Sequence, residues 1–359
     1  MVAVLAFMNS VSTTSIPLEI AENVHTNTPA RVTVVSLYDD AVSDLDPDVR
    51  AFDVDIIPLG ANSRSDPQAY QALRDLLRDA DVLHTHHNST GSLARLASIG
   101  TGAAVVNTEH NDHRHFSHLQ NTVNCVTYPL VDAFISNSQS THNSLRAYER
   151  PFIRAPHTVV YNGIDFERIE ASIDPGETMP EGPVVATVGV MTAQKDQETL
   201  LQAMKLLVED LPEARLVVVG DGSKRAELEQ MARDLGIERS VHFTGYVPTR
   251  EEVYGILKHS DVFAISSIYE GFCVAAVEAM GCGLPVVASD IEVLREVVAD
   301  GGRFASTQDP ASFSAELGRL LTDNEAAAAL GGRARERAAR FTIERTAEAY
   351  YDAYESVLD

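Results

Sequence analysis

Short β-branched runs alternate with amphipathic stretches along most of the 359-residue chain. In the first half, residues 2–8 (VAVLAFM), 31–38 (RVTVVSLY), 81–86 (DVLHTH), 103–110 (AAVVNTEH), 132–138 (DAFISNS) and 158–165 (TVVYNGID) read as strands. Helices are expected around 18–23, over 67–80, where PQAYQALRDLLRDA has a helical period, and over 92–100. The run DPGETMPEGP at 174–183 then gathers proline, glycine and acids, as linkers do. Beyond it the pattern restarts, with strands at 184–190, 215–222, 240–246, 261–266 and 285–289 and helices at 197–210, 225–236 and 251–260. A last helix covers about 342–358. Strands separated by helices form parallel sheets covered on both faces. The predicted fold is therefore α/β, with two doubly wound, Rossmann-like domains facing a cleft. Their expected extents are 1–165 and 184–339, with 166–183 between them.

One stretch does not fit a plain packing role. In SSIYEGFCVAAVEAMGCGLPVVASD (266–290), Glu270 follows a strand and Glu278 sits inside an apolar helix expected over 272–281. An acid at a helix N-terminus favours the macrodipole, and a glutamate on a helix face is ordinarily solvated. Ala275, Ala276, Val277, Ala279 and Met280, however, leave little polar surface around Glu278. A carboxylate there needs a hydrogen-bond partner, from the protein or from a ligand.

Other motifs admit two readings each. Gly220 and Gly222 follow a strand in VVVGDGSKRAEL (217–228), but Arg225 stands where a dinucleotide fingerprint has its third glycine, so a tight strand-to-helix turn is expected. Lys195 lies in a loop between a strand and a helix, where an ammonium is either an anion ligand or an ordinary exposed charge. Ser12, Thr13, Thr14 and Ser15 follow the first strand and either donate to a ligand or cap the next helix. Histidines gather in HTHHNST (84–90) and TEHNDHRHFSH (108–118) at loose spacing without a completing ligand set, and no metal is expected.

Charge and composition narrow the partners. A formal net charge of −24 argues against nucleic-acid binding and against adhesion to anionic membranes. High acid content with only four lysines (195, 205, 224, 258) resembles the composition of proteins from salt-loving microbes and predicts dependence on high salt. Three cysteines, Cys125, Cys273 and Cys282, without CxxC spacing fit a reducing cytoplasm. The N-terminus lacks a basic region, and no stretch reaches the length of a spanning helix, so a cytoplasmic location is expected, extending to the inner membrane face.

YEGFCVAAVEAMGCGLPVVAS resembles the E-x7-E signature of the retaining glycosyltransferases of family 4, and VVYNGID, VVVGDG, VHFTGYV, DVLHTHH and NTEH match the same family in order. The resemblance covers nearly the whole chain. It implies the GT-B fold, with FTIERTAEAYYDAYESVL inside a segment (340–359) that returns to the first, acceptor-side domain. It further implies transfer of a hexose-type sugar from a UDP- or GDP-sugar to a hydroxyl acceptor, lipid-linked or a glycan, with retention and without metal or cofactor. Glu278 would hold the ribose hydroxyls, Glu270 would face the transferred sugar, and Lys195 would neutralise the leaving diphosphate. The backbone of Gly271, Phe272, Cys273 and Val274 would point toward that diphosphate, Tyr246 and Val247 would meet the base, and His110 would contact the donor sugar. Ser12 and Thr13, in the loop after the first strand, would bind the donor. The chain departs from the pattern at Val190, where an arginine is usual, at NSVSTTS in place of a Gly-Gly loop, and at Cys273, Val274 and Ala275 in place of Gly-Leu-Pro. A sugar-nucleotide epimerase of the same fold, and a nucleotide-sugar-binding subunit with little catalysis, are the other readings; Val190 motivates the latter.

Overall fold

The computed structural model describes residues 1–358 other than Thr14, Glu177 and Thr178. Thr14 and those two positions of the expected linker therefore lie outside the described residues, as does Asp359 at the end of the last segment. The chain divides into two compact units, Met1–Gly163 with Ile343–Asp359, and Ile164–Thr342.

In the first unit β1 (Ala3–Met8), β2 (Arg31–Ser36), β3 (Asp55–Pro58), β4 (Val82–Thr85), β5 (Ala104–Glu109), β6 (Ala133–Ser136) and β7 (His157–Val159) form one sheet in the order β3-β2-β1-β4-β5-β6-β7. Every pairing is parallel. Alternation decides the faces. Val4, Ala6 and Met8 join a core with Val32, Val34 and Leu18, while Leu5 and Phe7 join Leu73, Leu77 and Leu83 on the opposite side. The helix Ile343–Ser356 contributes Ala347, Tyr350 and Tyr354 to the first of these cores, so the C-terminus does return to this unit. Strand β3 is absent from the sequence reading because it is a four-residue edge strand ending in proline.

The second unit holds β8 (Val184–Val188), β9 (Arg215–Val219), β10 (Val241–Gly245), β11 (Val262–Ile265), β12 (Val286–Ser289) and β13 (Gly302–Ala305), ordered β10-β9-β8-β11-β12-β13 and again wholly parallel. Its core joins Val185, Leu216, Val218 and Ala264 to Leu200, Met204, Phe313 and Leu317 of the covering helices. The glycines after β9 have a steric reason. At φ +122°, a Cβ on Gly220 would lie 2.4 Å from the Gly189 carbonyl oxygen, and one on Gly222 would lie 2.5 Å from that of Met191. The loops after β8 and β9 thus cross with no room for side chains, and this fixes the path of the segment carrying Lys195.

Residues 166–173, the first part of the expected linker, belong to the second unit. Asp165 caps the helix Phe166–Glu170 through the Glu167 and Arg168 N–H groups. Arg168 pairs with Glu251 at 2.7 Å, and the Ile173 N–H donates to the Glu251 carbonyl.

Candidate active site

Two loops of the second unit are stitched together at the C-terminal ends of β8 and β11, the edge where parallel sheets bind ligands. The Ile268 N–H donates to the Gln194 carbonyl at 2.9 Å, and Gln194 Nε2 donates to the Tyr269 carbonyl at 2.9 Å. Ser266 Oγ donates to the carbonyls of Lys195 and Asp196 at 2.9 and 2.8 Å. This seam brings Lys195 Nζ to 2.5 Å from Glu270 Oε1, an oxygen that also accepts from Ser267 Oγ at 2.7 Å. Both partners are largely buried, with the Lys195 side chain 19% exposed and that of Glu270 8%. Burial pulls the lysine pKa down, but the facing Glu270 carboxylate and the Cys273 sulfur outweigh it, and the net shift is upward. Lys195 is therefore a fixed cation. Its three N–H groups make one hydrogen bond to the described protein, so two remain to offer an anion.

Cys273 precedes the helix Val274–Gly281 in a left-handed conformation, φ 75° and ψ 72°. A left-handed conformation favours glycine, the residue usual at this position of the resembled motif. The thiol is pushed up to about 12, by burial first and then by the Glu270 charge. It is a packing group rather than a nucleophile.

Glu278 lies in that helix and is 2% exposed. Its Oε1 accepts from Arg250 Nη1 at 2.6 Å and from Tyr254 OH at 3.1 Å, while its Oε2 has no partner among the described residues. Arg250 and Tyr254 were not identified from sequence. One signal was legible: Thr249 and Glu252 form a capping box, so Arg250 stands in a first helical turn, where a cation opposes the macrodipole. Such a placement calls for a nearby acid, and 28 residues separate it from Glu278.

The remaining expected residues lie on other segments of the two units. Tyr246, 55% exposed, and Val247 follow β10, Gly271 and Phe272 continue from Glu270, and Val190 is 60% exposed in the loop after β8. Ser12, Thr13 and His110 belong to the first unit. Ser15 begins the helix Ile16–Asn27, but its side chain makes no capping bond.

His110 follows β5 within a cluster of neutral imidazoles. His86 Nδ1 is 3.0 Å from His110 Nε2, and the His84 ring lies 3.9 Å from that of His86, centroid to centroid. His84 is held at both nitrogens, by Thr108 Oγ1 and Tyr354 OH, each at 2.8 Å. Burial lowers His84 to about 3 and His110 to about 4 and holds His86 well below its ordinary value. His113 is the opposite case. Burial disfavours its charge, but Glu109 at 3.3 Å and Glu149 at 3.0 Å outweigh that and raise it to about 10. Glu109 also accepts from Asn107, Asn124 and Tyr128, while the wholly buried Arg95 bonds Thr127, Ser92, Asn107 and Asn124. Among the described residues, no group of three or more His, Cys, Asp or Glu is arranged to hold a metal ion. Nor is any described helix long and apolar enough to cross a membrane.

Residues 169–337 match the family described as Glycosyl transferases group 1, and residues 25–168 match Glycosyltransferase Family 4. The D-inositol 3-phosphate glycosyltransferase of Corynebacterium urealyticum is 36% identical over 183 residues, which is 48% of this chain and 43% of that protein. The chain thus spans less than half the length of that relative. The UDP-Gal:alpha-D-GlcNAc-diphosphoundecaprenol alpha-1,3-galactosyltransferase of Escherichia coli is 28% identical over 267 residues, 69% of this chain and 68% of the relative. Anabaena Alr3699/HepE, solved with UDP and glucose, superposes with a TM-score of 0.83 at 20% identity, covering 99% of this chain and all of its own. With both halves matched and the two-sheet architecture shared throughout, the chain belongs to the family 4 glycosyltransferases of GT-B fold.

Proposed function

We propose that the protein transfers a hexose-type sugar from a UDP- or GDP-sugar to a hydroxyl acceptor, a glycan or a lipid-linked alcohol, with retention of configuration and without a metal. The observation that carries this is Glu278. A carboxylate 2% exposed, with one oxygen held by Arg250 and Tyr254 and the other without a partner among the described residues, suits the two vicinal hydroxyls of a ribose. Lys195 would supply the charge that a metal supplies elsewhere. As the bond from sugar C1 to the diphosphate oxygen breaks, its electron pair goes to that oxygen, and the two unused N–H groups of Lys195 stabilise it there. Glu270, oriented by Lys195 and Ser267, would hold hydroxyls of the sugar while C1 becomes cationic. The acceptor oxygen bonds to C1 from the face the diphosphate leaves, and its proton passes to the departing phosphate oxygen. No covalent enzyme intermediate is required.

The test is a thermal-shift screen of UDP, GDP and their sugars in high salt, followed by turnover with the donor that binds and NMR assignment of the product anomer. Binding of one nucleoside diphosphate, EDTA-insensitive turnover and a retained anomer are expected. Inversion, or loss of activity in EDTA with recovery on adding a divalent metal, would overturn the mechanism. Nucleotide binding without turnover over any acceptor would leave a binding subunit instead.

A further inference from the structure

The C-terminal ends of the central strands of the first sheet collect polar side chains that carry no charge. His86 follows β4, His110 follows β5 and Asn137 follows β6. They touch: besides the His86–His110 contact, Asn137 Nδ2 donates to the His110 carbonyl at 3.1 Å. At the adjoining end of β1, Asn9 Oδ1 accepts from Thr90 Oγ1 at 2.6 Å. His86 is 5% exposed and Asn137 2%, yet among the described residues His86 Nε2 and Asn137 Oδ1 have no partner, and neither has Asn88 Nδ2. A buried polar atom without a partner costs roughly 1–3 kcal/mol, so three in one neighbourhood indicate groups made for a ligand.

The chemistry of that ligand follows from protons. Two neutral imidazoles in contact share a single proton, one ring donating and the other accepting. Whichever tautomer holds, the two outer nitrogens are one donor and one acceptor, and both stay uncharged. A hydroxyl, itself donor and acceptor, matches either arrangement. A phosphate only accepts, and would face a lone pair on one imidazole and another on Asn137 Oδ1. The cations near this edge are already paired, His113 being enclosed by Glu109 at 3.3 Å and Glu149 at 3.0 Å. The first unit contains no lysine. In the stretches directly following β1, β4, β5, β6 and β7 (9–15, 86–87, 110–117, 137–138 and 160–163) the only arginine is Arg114, clamped on Asp112 at 2.7 and 3.0 Å.

We infer that this edge is the acceptor subsite and that it takes an uncharged polyol or saccharide through its hydroxyls, discriminating against the phosphorylated counterpart. The inference rests on the glycosyl-transfer reading for the word acceptor, while the discrimination stands on the side chains alone.

Saturation-transfer NMR on the full chain tests it with three pairs: myo-inositol and inositol 1-phosphate, glycerol and glycerol 3-phosphate, glucose and glucose 6-phosphate. At least one neutral member should bind, and its phosphorylated partner should bind at least about tenfold more weakly, a gap of about 1.4 kcal/mol. His86→Ala should weaken the neutral ligand by a similar factor, with the melting temperature confirming a folded chain. Should that variant unfold, His86→Gln, which keeps an uncharged donor and acceptor, should retain the preference for the neutral member. Equal or tighter binding of the phosphorylated members overturns the inference, as does the absence of binding by every neutral one. UDP titrated into the same samples separates the two ideas. Failure of UDP and GDP to bind strikes the glycosyl-transfer reading, whereas nucleotide binding without the polyol preference strikes this inference only.

Discussion

Glu278 and Glu270 sit eight positions apart on one loop-and-helix segment, yet their partners separate their effects. Glu278→Gln keeps the shape of the side chain but exchanges a charged acceptor for a neutral one. Hydrogen bonds to a charged group contribute about 1.5–3 kcal/mol, so free UDP or GDP should bind about ten- to a hundredfold more weakly. Glu270→Gln should leave nucleoside diphosphate affinity nearly unchanged and lower kcat, since its contact strengthens only as the sugar becomes cationic. Calorimetric titration of both variants beside their rates decides this; equal losses of nucleotide affinity would refute the division of roles. A lysine in an exposed loop would be removable at little cost to folding, but the structure buries Lys195 against Glu270. Lys195→Ala should therefore lower stability as well as turnover, by leaving a largely buried carboxylate unpaired. The double variant Lys195→Met with Glu270→Gln should recover the melting temperature without recovering turnover. If Lys195→Ala melts like the parent, the pair contributes nothing to folding. Cys273 offers a third test. Glycine relieves the left-handed backbone by about 1 kcal/mol but removes a buried sulfur, so Cys273→Gly should stay within about 1 kcal/mol of the parent, whereas Cys273→Val should be clearly destabilised.

At the scale of elements, the segment that carries His110 is anchored by the ion cluster of Glu109, His113 and Glu149. The folded pKa of His113, about 10, lies above its ordinary value of 6.5. Its stabilisation is complete below pH 6.5 and is lost as pH rises through 10. Burial alone would raise Glu109, but His113 and Arg95 hold it below its ordinary 4.5, so its contribution is present above that value and lost on acidification. The histidines that burial keeps neutral, His84, His86, His110 and His157, act in the other direction and cost stability as pH falls below 6.5. The first unit should accordingly be most stable near pH 7 and weaken as pH rises toward 10. His113→Gln should flatten that alkaline slope; an unchanged slope would mean the cluster does not govern it. Nothing in the sequence announced this cluster. The strands were legible because β-branched runs such as those at 184–190 and 215–222 alternate with amphipathic helices at a readable period. Edge strand β13, GRFA, lacked that signature, and its neighbouring helices Glu292–Val298, Pro310–Thr322 and Asn324–Ala338 went unmarked with it. The histidines were conspicuous in the sequence, but the His86–His110 contact depends on parallel register, which sets Thr85 beside Asn107. Similarly, Glu278 could be read as needing a partner, while the identity of that partner awaited the packing of a helix 28 residues away.

For the whole molecule, 52 acidic residues face 28 basic ones, and the four lysines all lie in the second unit. Several acids have arginine partners, as in Arg225 with Asp221 and Glu229, or Arg319 with Glu316, but a net charge of −24 cannot be neutralised by pairing within the chain. Repulsion among the remainder acts over the Debye length, about 10 Å at 0.1 M salt and about 3 Å at 1 M. Screening should therefore stabilise both units together, with most of the gain reached by about 1 M. On a domain of this size 1 kcal/mol moves the melting temperature by roughly 2–4 °C, so a rise above about 5 °C between 0.1 and 1 M KCl is expected. Sodium chloride should act as potassium chloride does, because screening depends on ionic strength and not on the cation. A rise that continues linearly to 3 M would instead indicate preferential exclusion of salt from the surface, and a melting temperature independent of KCl would show that this acidity carries no folding consequence. Charge-reversal variants separate the two further. Replacing several unpaired surface glutamates by lysine should raise stability at 0.1 M and leave it nearly unchanged at 2 M, since what the variants remove is the repulsion that the salt has already screened.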